Sequence, residues 1–425
     1  MKNIRTRILK IGSGTLVAQL LSFFLLPIVT HIYTPEEYGK LSLFLAIALV
    51  LIPLGTFKFD VILVVLDSEK ESKDLLTIGI YTSILISVVS IPAIYTYLRF
   101  VENAPNTIAF FQSLLFSFFL LVQCLSVLFT QGLLRLKKDS RIAFSSILQN
   151  GSIGILQIGL GRVKPTGEIL ILSFILGKIL GTGPLLRTVK NQAFKQRPRF
   201  CELVETFRKH RAKGILVFSG TLLNAAAIGL PTLVTGFLFG VRYSGIVSVT
   251  QSILTVPITF VGGAVGSVLI SEISSIKRVF PNDNLKLNEV VRSVRKILLV
   301  STGMFLLVSF TLGPLIFGLL LGDAWQEASK LLMWLIVPFG INFLWLPFSN
   351  LLYINGHWDK YLYFSIIQIS LSIIFGTVAF EMNLNWLYVS VFMVAGNSIA
   401  QICGLIWIFK QIKKSRFNFE DQTND

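Results

Sequence analysis

Charged residues are scarce in this chain, and their scarcity excludes most classes of soluble protein. Of the 425 residues, only 14% are charged, whereas 53% are hydrophobic. Soluble domains carry about 25% charged residues, and a soluble chain of this composition would expose large apolar patches to water. The composition therefore predicts a polytopic membrane protein.

Cysteine, histidine and acidic residues are also few. There are three cysteines and three histidines, and no two cysteines have the C-x-x-C spacing. A disulfide framework or a zinc site needs such clusters, so we expect neither a metal nor a cofactor. Acidic residues number 22 against 38 basic ones. Because membrane proteins collect Lys and Arg in their cytoplasmic loops, the net charge of +16 indicates a membrane topology and not a nucleic-acid partner.

Long apolar runs are the dominant feature that is present. A helix needs about 20 apolar residues to cross a hydrocarbon core of about 30 Å. Two runs of that length contain ions: 39–66 carries Lys58 and Asp60, and 169–189 carries Lys178 and Arg187. Ten more runs contain no charged residue: 11–35, 75–98, 103–134, 142–161, 214–241, 243–271, 297–322, 331–358, 361–380 and 382–409. The sequence thus predicts an all-α membrane protein with twelve transmembrane helices.

The distribution of basic residues predicts the orientation of these helices. With the N-terminus inside, 30 Lys and Arg residues fall on inner segments and 6 on outer segments. This asymmetry predicts that both termini are cytoplasmic. The first apolar run exceeds the core of a signal peptide and lacks a cleavage motif, so we interpret it as a retained helix.

The chain has an internal repeat with an offset of 206 residues. Ser13-Gly14-Thr15-Leu16 recurs as Ser219-Gly220-Thr221-Leu222, and Gly39 aligns with Gly245. Six helices per repeat make the repeats parallel, which predicts two six-helix lobes around a central cavity, as in alternating-access transporters. The predicted parts are an N-terminal lobe (1–190), a cytoplasmic inter-lobe linker (191–213), a C-terminal lobe (214–410) and a cytoplasmic tail (411–425).

Three sequence elements near the N-terminus resemble a known family. They are the run from Gly14 to Pro27, the segment Tyr33-Thr34-Pro35-Glu36-Glu37-Tyr38-Gly39, and Phe57-Lys58-Phe59-Asp60. Together they resemble the opening of Wzx-type O-antigen and capsule-unit flippases, which belong to the multidrug/oligosaccharidyl-lipid/polysaccharide exporter superfamily. The detailed resemblance covers about 75 residues, and the twelve-helix layout extends it along the chain.

The resemblance implies a MATE-like fold and a transporter that is not an enzyme. The implied cargo is an undecaprenyl-diphosphate-linked oligosaccharide for O-antigen, lipopolysaccharide or a similar surface polysaccharide. Alternating access would carry it across a bacterial inner membrane, from the cytoplasmic to the periplasmic leaflet. The implied partners are this cargo and membrane lipids, with a polysaccharide polymerase and chain-length proteins as candidates. A monomer is expected, because the cavity lies within one chain.

Ions within the predicted spans are candidates for the site, since burying a charge in a membrane is costly. We expect Lys58 and Lys178 to attract the diphosphate and Asp60 to bind a coupling ion. Alternatively, Lys58 extends to the inner interface, and Lys178 pairs with Asp60 or with another buried carboxylate. Lys58 and Asp60 are two positions apart, which on one helix would turn them to different faces and prevent a mutual pair.

Amides and one arginine complete the predicted site. Gln149, Asn150, Asn224 and Gln251 are expected to bind sugar hydroxyls, although intramembrane amides also join helices. Arg135 is a candidate contact for the cargo's headgroup, with a positive-inside residue as the alternative.

Two other functions stay open at this point. A multidrug or cation exporter of the same superfamily would need buried carboxylates, of which only Asp60 is evident. A membrane-embedded glycan polymerase would need a long outer loop, and no predicted outer loop exceeds about a dozen residues.

Overall fold

The computed structural model describes residues 2–66, 68–100, 105–136, 138–193, 199–263, 284–354 and 357–413, with single positions between 265 and 273. These residues form helices and contain no strand. The helices are α1 (Lys2–Ile32), α2 (Pro35–Thr56), α3 (Phe59–Val65), α4 (Glu69–Phe100), α5 (Asn106–Arg135), α6 (Asp139–Gly161), α7 (Gly167–Ala193), α8 (Phe200–Phe239), α9 (Val241–Pro257), α10 (Asn284–Leu321), α11 (Gln326–Ile354), α12 (Trp358–Glu381) and α13 (Trp386–Lys413).

The predicted all-α membrane fold is confirmed. Within the described ranges, ten helices are long and apolar enough to cross a membrane. The helices α1 and α6 occupy the two remaining predicted spans, and the described apolar part of α1 covers Val17–Ile32. Parts of the predicted span 243–271, of the linker 191–213 and of the tail 411–425 lie outside the described residues.

The second predicted span differs from the expectation of one continuous helix. It consists of α2 and α3, which are separated at Phe57 and Lys58. Both residues have a positive φ, of 48° and 53°. Neither residue is glycine or proline, but Pro53 and Gly55 lie just before them in the last turns of α2.

Contacts divide the chain into two compact units. The first contains Ser13–Tyr33 and Lys40–Gly229, and the second contains Met1–Gly12, Thr34–Gly39 and Leu230–Asp425. The N-terminal part of α8 therefore packs in the first unit, whereas the first turn of α2 packs in the second. This grouping by contacts is a different division from the repeat-based lobes, whose boundaries stay a prediction.

In the first unit, glycines allow α6 to pack closely on its neighbours. Gly177 of α7 lies against Ile153, and Gly181 lies against Gln149, whose Cβ is 2.5 Å from the position of an added Cβ. The Ser145 hydroxyl donates to the Gly181 carbonyl oxygen at 2.6 Å. Small residues of this kind let membrane helices approach each other and gain dispersion energy.

In the second unit, close helix contacts follow the same rule. Gly396 of α13 lies against the backbone of Leu371 in α12, where an added Cβ would be 2.6 Å from the carbonyl oxygen. A Cβ added to Gly340 of α11 would be 2.8 Å from the Leu306 side chain of α10. The Thr235 and Ser390 hydroxyls hydrogen-bond at 2.9 Å and join α8 to α13. Close contacts at small residues therefore hold neighbouring helices together in both units.

The glycine at position 181 provides a test of this packing. We expect Gly181→Ala to lower the melting temperature, because the new methyl group meets the fixed Cβ of Gln149 and overpacking costs about 1–3 kcal/mol. The matched control is Gly183→Ala on the same helix, where an added Cβ meets no atom within 4 Å. Unfolding can be followed by a thiol-reactive dye on the buried Cys124, after the exposed Cys201 and Cys403 are changed to serine. Equal melting temperatures for the two variants would contradict the packing.

Candidate functional site

The break between α2 and α3 brings an ion pair into the interior of the first unit. Lys58 precedes the first turn of α3, and its N–H donates to the Thr56 hydroxyl at 3.3 Å. Its ammonium lies 3.4 Å from Oδ2 of Asp60. The side chains are 15% and 1% exposed, respectively.

The prediction that Lys58 and Asp60 point to different faces and do not pair was wrong. It assumed a regular helix, in which residues two apart do not face each other. Because Lys58 adopts a left-handed conformation before α3 begins, its side chain turns back toward the first turn of that helix. The pair neutralises Lys58, while the second carboxylate oxygen, Oδ1, has no hydrogen-bond partner among the described residues.

Aromatic residues of α8 pack against this break. The Phe57 ring stacks on Phe218, with centroids 5.1 Å apart and planes 6° apart. The Phe59 ring meets Phe207 edge-on at 5.9 Å. Gly214 lies between these contacts, and an added Cβ there would be 3.2 Å from the Phe59 ring. Stacked and edge-on ring pairs are favourable, so tertiary contacts from α8 stabilise the left-handed backbone.

Arg135 is engaged by the backbone that follows the break. Its guanidinium donates to the carbonyl oxygens of Leu63 at 2.9 Å, of Leu66, and of Ser68 at 3.2 Å. The last carbonyls of a helix lack intrahelical partners, so Arg135 satisfies the C-terminal end of α3. Its predicted contact with a headgroup stays a prediction, and its position has a sufficient structural explanation.

Lys178 has a different environment from Lys58. Its ammonium lies 5.6 Å from the centroid of the Phe174 ring, one turn away on α7. In the described part of the chain no carboxylate forms an ion pair with it, and Asp60 is paired with Lys58. The alternative that Lys178 pairs with Asp60 is therefore not found. A cation–π contact supplies only part of the solvation that an ammonium needs.

Two of the predicted amides flank the α6–α7 packing. Gln149 lies against Gly181, three residues beyond Lys178 and on the same side of α7. Asn150 precedes Gly154 by one turn, and Gly154 faces Leu25 of α1. The structure therefore places Gln149 next to α7, within one turn of Lys178 along that helix.

The other two predicted amides belong to different units. Asn224 of α8 lies in the first unit and Gln251 of α9 in the second, and both are partly buried. Their roles in binding stay predictions.

Several buried polar atoms were not selected as site residues from the sequence. Gln19 Oε1, Gln123 Oε1 and Ser173 Oγ have no hydrogen-bond partner among the described residues. Unpaired buried polar atoms are costly. Both glutamines lie within apolar runs, and this position is the signal that could have singled them out.

Comparison with known proteins gives the family and the fold. The model of a family described as "Polysaccharide biosynthesis protein" matches residues 13–330. No curated protein matches the chain. Three similar solved structures share 15% sequence identity with it. They are an inward-facing multidrug resistance MATE family transporter of the MOP superfamily (TM-score 0.69, 96% of both chains), a MOP superfamily transporter from Pyrococcus furiosus (0.68, 96% of both chains) and MATE in complex with MaL6 (0.69, 97% of both chains). The predicted MATE-like fold is thus confirmed.

The Lys58–Asp60 pair provides a test of the site's structure. We expect Lys58→Met to destabilise the protein by about 3–5 kcal/mol, because it leaves a buried carboxylate without its partner. The double variant Lys58→Met/Asp60→Leu is expected to recover most of this loss, since replacing both partners by apolar groups removes the uncompensated charge.

The measurement is the midpoint of thermal unfolding in lipid nanodiscs. Lys73→Met serves as the control, because Lys73 pairs with Glu69 on an exposed surface and such pairs contribute about 0–1 kcal/mol. If the double variant and Lys58→Met have the same unfolding midpoint, the break does not depend on the ion pair.

Proposed function

The chain belongs to the polysaccharide biosynthesis protein family, and we propose that it is a flippase for an undecaprenyl-diphosphate-linked oligosaccharide. It is a multi-pass membrane protein with the fold of MOP superfamily transporters. In the proposed reaction the lipid-linked sugar moves from the cytoplasmic to the outer leaflet of a bacterial inner membrane. The excess of basic residues on the inner segments supports cytoplasmic termini.

The single observation that carries the proposal is the environment of Lys178. A diphosphate crossing a membrane requires a cation that is not already neutralised, because charge-assisted hydrogen bonds to phosphate are among the strongest polar contacts. Lys58 donates to Asp60, whereas Lys178 faces an aromatic ring and pairs with no described carboxylate. We therefore assign the first contact with the diphosphate to Lys178.

Amides near this cation suit the sugar part of the cargo. Gln149 is positioned against Gly181, within one turn of Lys178 on α7. An amide offers both donors and acceptors to sugar hydroxyls. Asn150, Asn224 and Gln251 are proposed as further sugar contacts, and Arg135 as a headgroup contact at the end of α5.

Asp60 is the proposed coupling residue. One oxygen of its carboxylate holds Lys58, and the other has no partner among the described residues. A proton or a sodium ion could occupy that oxygen without displacing an existing hydrogen bond. This assignment requires a carboxylate that is buried yet incompletely satisfied, which Asp60 is.

The polarity of the in-span ions supports an anionic cargo over a cationic drug. Lys58, Lys178 and Asp60 together leave a net positive charge within the predicted spans. The description of the Pyrococcus furiosus transporter states that reverse polarity of its binding pocket suggests a different function. If the same relation between pocket charge and cargo applies here, a positive site favours the diphosphate.

A deletion strain tests the function. We expect lipid extracts to accumulate undecaprenyl-diphosphate oligosaccharide and the cells to lose surface polysaccharide, with both effects reversed by the gene. Mass spectrometry of the extract would identify the sugar unit. Normal surface glycan together with raised sensitivity to cationic dyes would contradict the flippase and indicate drug efflux.

The lysine assignment has its own test in the complemented strain. We expect Lys178→Ala to reduce export about tenfold or more, because a charge-assisted hydrogen bond contributes about 1.5–3 kcal/mol and 1.4 kcal/mol corresponds to tenfold. Lys178→Arg keeps the charge and is expected to retain part of the activity. Lys190→Ala is the matched control, since Lys190 is exposed at the C-terminal end of the same helix. Full export by Lys178→Ala at equal protein level would refute the assignment.

A further inference from the structure

Two glycines place the first turns of α2 and α9 in direct backbone contact. A Cβ added to Gly39 would overlap the carbonyl oxygen of Val241, and one added to Gly245 would overlap the carbonyl oxygen of Pro35. Backbone atoms cannot yield in the way that a flexible side chain does. Only glycine therefore fits at either position while the two turns are in contact.

The contact is reciprocal and follows the internal repeat. Adding 206 to residue 35 gives 241, and adding 206 to residue 39 gives 245. Gly39 lies on Val241 and Gly245 lies on Pro35, so each half of the contact is the repeat equivalent of the other. A self-complementary contact between equivalent positions surrounds a local two-fold axis. The repeat offset seen in the sequence thus corresponds to a physical contact.

Side chains also lie at this contact. The Ser244 hydroxyl lies 3.3 Å from the Gly39 carbonyl oxygen and 2.6 Å from that of Val241 in its own helix. The Tyr38 ring meets the buried Trp325 ring edge-on, with centroids 5.8 Å apart. Trp325 belongs to the short 3-10 turn Asp323–Trp325, which immediately precedes α11.

The backbone carbonyls at the contact and the Ser244 hydroxyl keep hydrogen bonds within their own helices when the two turns separate. The carbonyl oxygens of Pro35 and Val241 lie in the first turns of helices, where they accept from the N–H four residues later. The Ser244 hydroxyl keeps its shorter hydrogen bond to Val241 when it leaves Gly39. The two backbone surfaces themselves are held by dispersion contacts, each of which is individually weak.

The location of the contact indicates which side of the membrane it closes. It joins the start of α2 to the start of α9, and the charge distribution assigns both ends to the outer side. The chain also changes from the second compact unit to the first between Gly39 and Lys40. A reversible contact at this point can control access from the outer side.

We propose that the crossing of Gly39 and Gly245 is the outer gate of the transporter, closed in this structure and opened when cargo leaves for the outer leaflet. This inference rests on the proposed function for its cargo and for its side of the membrane. The opening itself is a property of the protein and can be measured without cargo.

Crosslinking tests whether the contact must open. The variant is Tyr38→Cys/Trp325→Cys, with Cys201→Ser and Cys403→Ser and the buried Cys124 retained. We expect a short, reducible bis-methanethiosulfonate crosslinker to stop export of surface polysaccharide, and a reductant to restore it. Each single-cysteine variant, treated in the same way, is the control. Full export by the crosslinked protein would show a permanent contact and would overturn the gate.

Spin labels test the gate independently of the cargo. Labels at Glu36→Cys and Ala324→Cys, both at exposed positions, are expected to give two distance populations in lipid nanodiscs. Gly39→Ala and Gly245→Ala should each move the population toward the longer distance. Gly303→Ala, where an added Cβ meets no atom within 4 Å, should leave it unchanged. A single distance unaffected by the glycine variants would overturn the gate, even if the protein does not export polysaccharide.

Discussion

The structure depends on one constraint: inside a membrane, backbone polar groups must find their hydrogen bonds within the protein. The described parts of the predicted spans are helical because a helix satisfies its own backbone. The break at Phe57 and Lys58 is a departure from this rule, and the surrounding groups compensate for it. The Thr56 hydroxyl accepts from the Lys58 N–H, and the Arg135 guanidinium donates to the last carbonyls of α3. The sequence suggests Arg135 as a headgroup contact, and in the structure its guanidinium satisfies backbone carbonyl oxygens of α3.

The same constraint distinguishes the two deep lysines. Lys58 lies at the break, where Asp60 can reach its ammonium. Lys178 lies within an unbroken helix, and its ammonium lies over the ring of Phe174. A cation with incomplete solvation keeps electrostatic capacity for an incoming anion, whereas a paired cation must first exchange its partner. The proposed function therefore depends more on Lys178 than on Lys58, although the sequence presents the two alike.

The sequence was sufficient to predict that the chain is built of membrane-spanning helices. Apolar runs of about 20 residues have few alternatives to a spanning helix, so length and hydropathy identified them. The break was missed because Pro53 and Gly55 do not by themselves fix where a helix ends, and the rings of Phe207 and Phe218 that pack on the break are about 150 residues away. The pairing of Lys58 with Asp60 follows from that break and was missed with it. The repeat offset of 206 aligned Gly39 with Gly245, but that these residues touch each other emerged only from the structure.

The break between α2 and α3 and the crossing of Gly39 and Gly245 differ in how tightly their contacts are held. At the break, a buried ion pair and stacked rings interlock, and opening it would expose a carboxylate at a cost of several kcal/mol. At the glycine crossing, two backbone surfaces meet, and the Ser244 hydroxyl keeps its hydrogen bond to Val241 after they separate. A transporter that changes conformation needs rigid units and contacts that part at low cost. Aromatic and ionic side chains make the break rigid. The absence of side chains at Gly39 and Gly245 lets the proposed gate form by backbone contact alone.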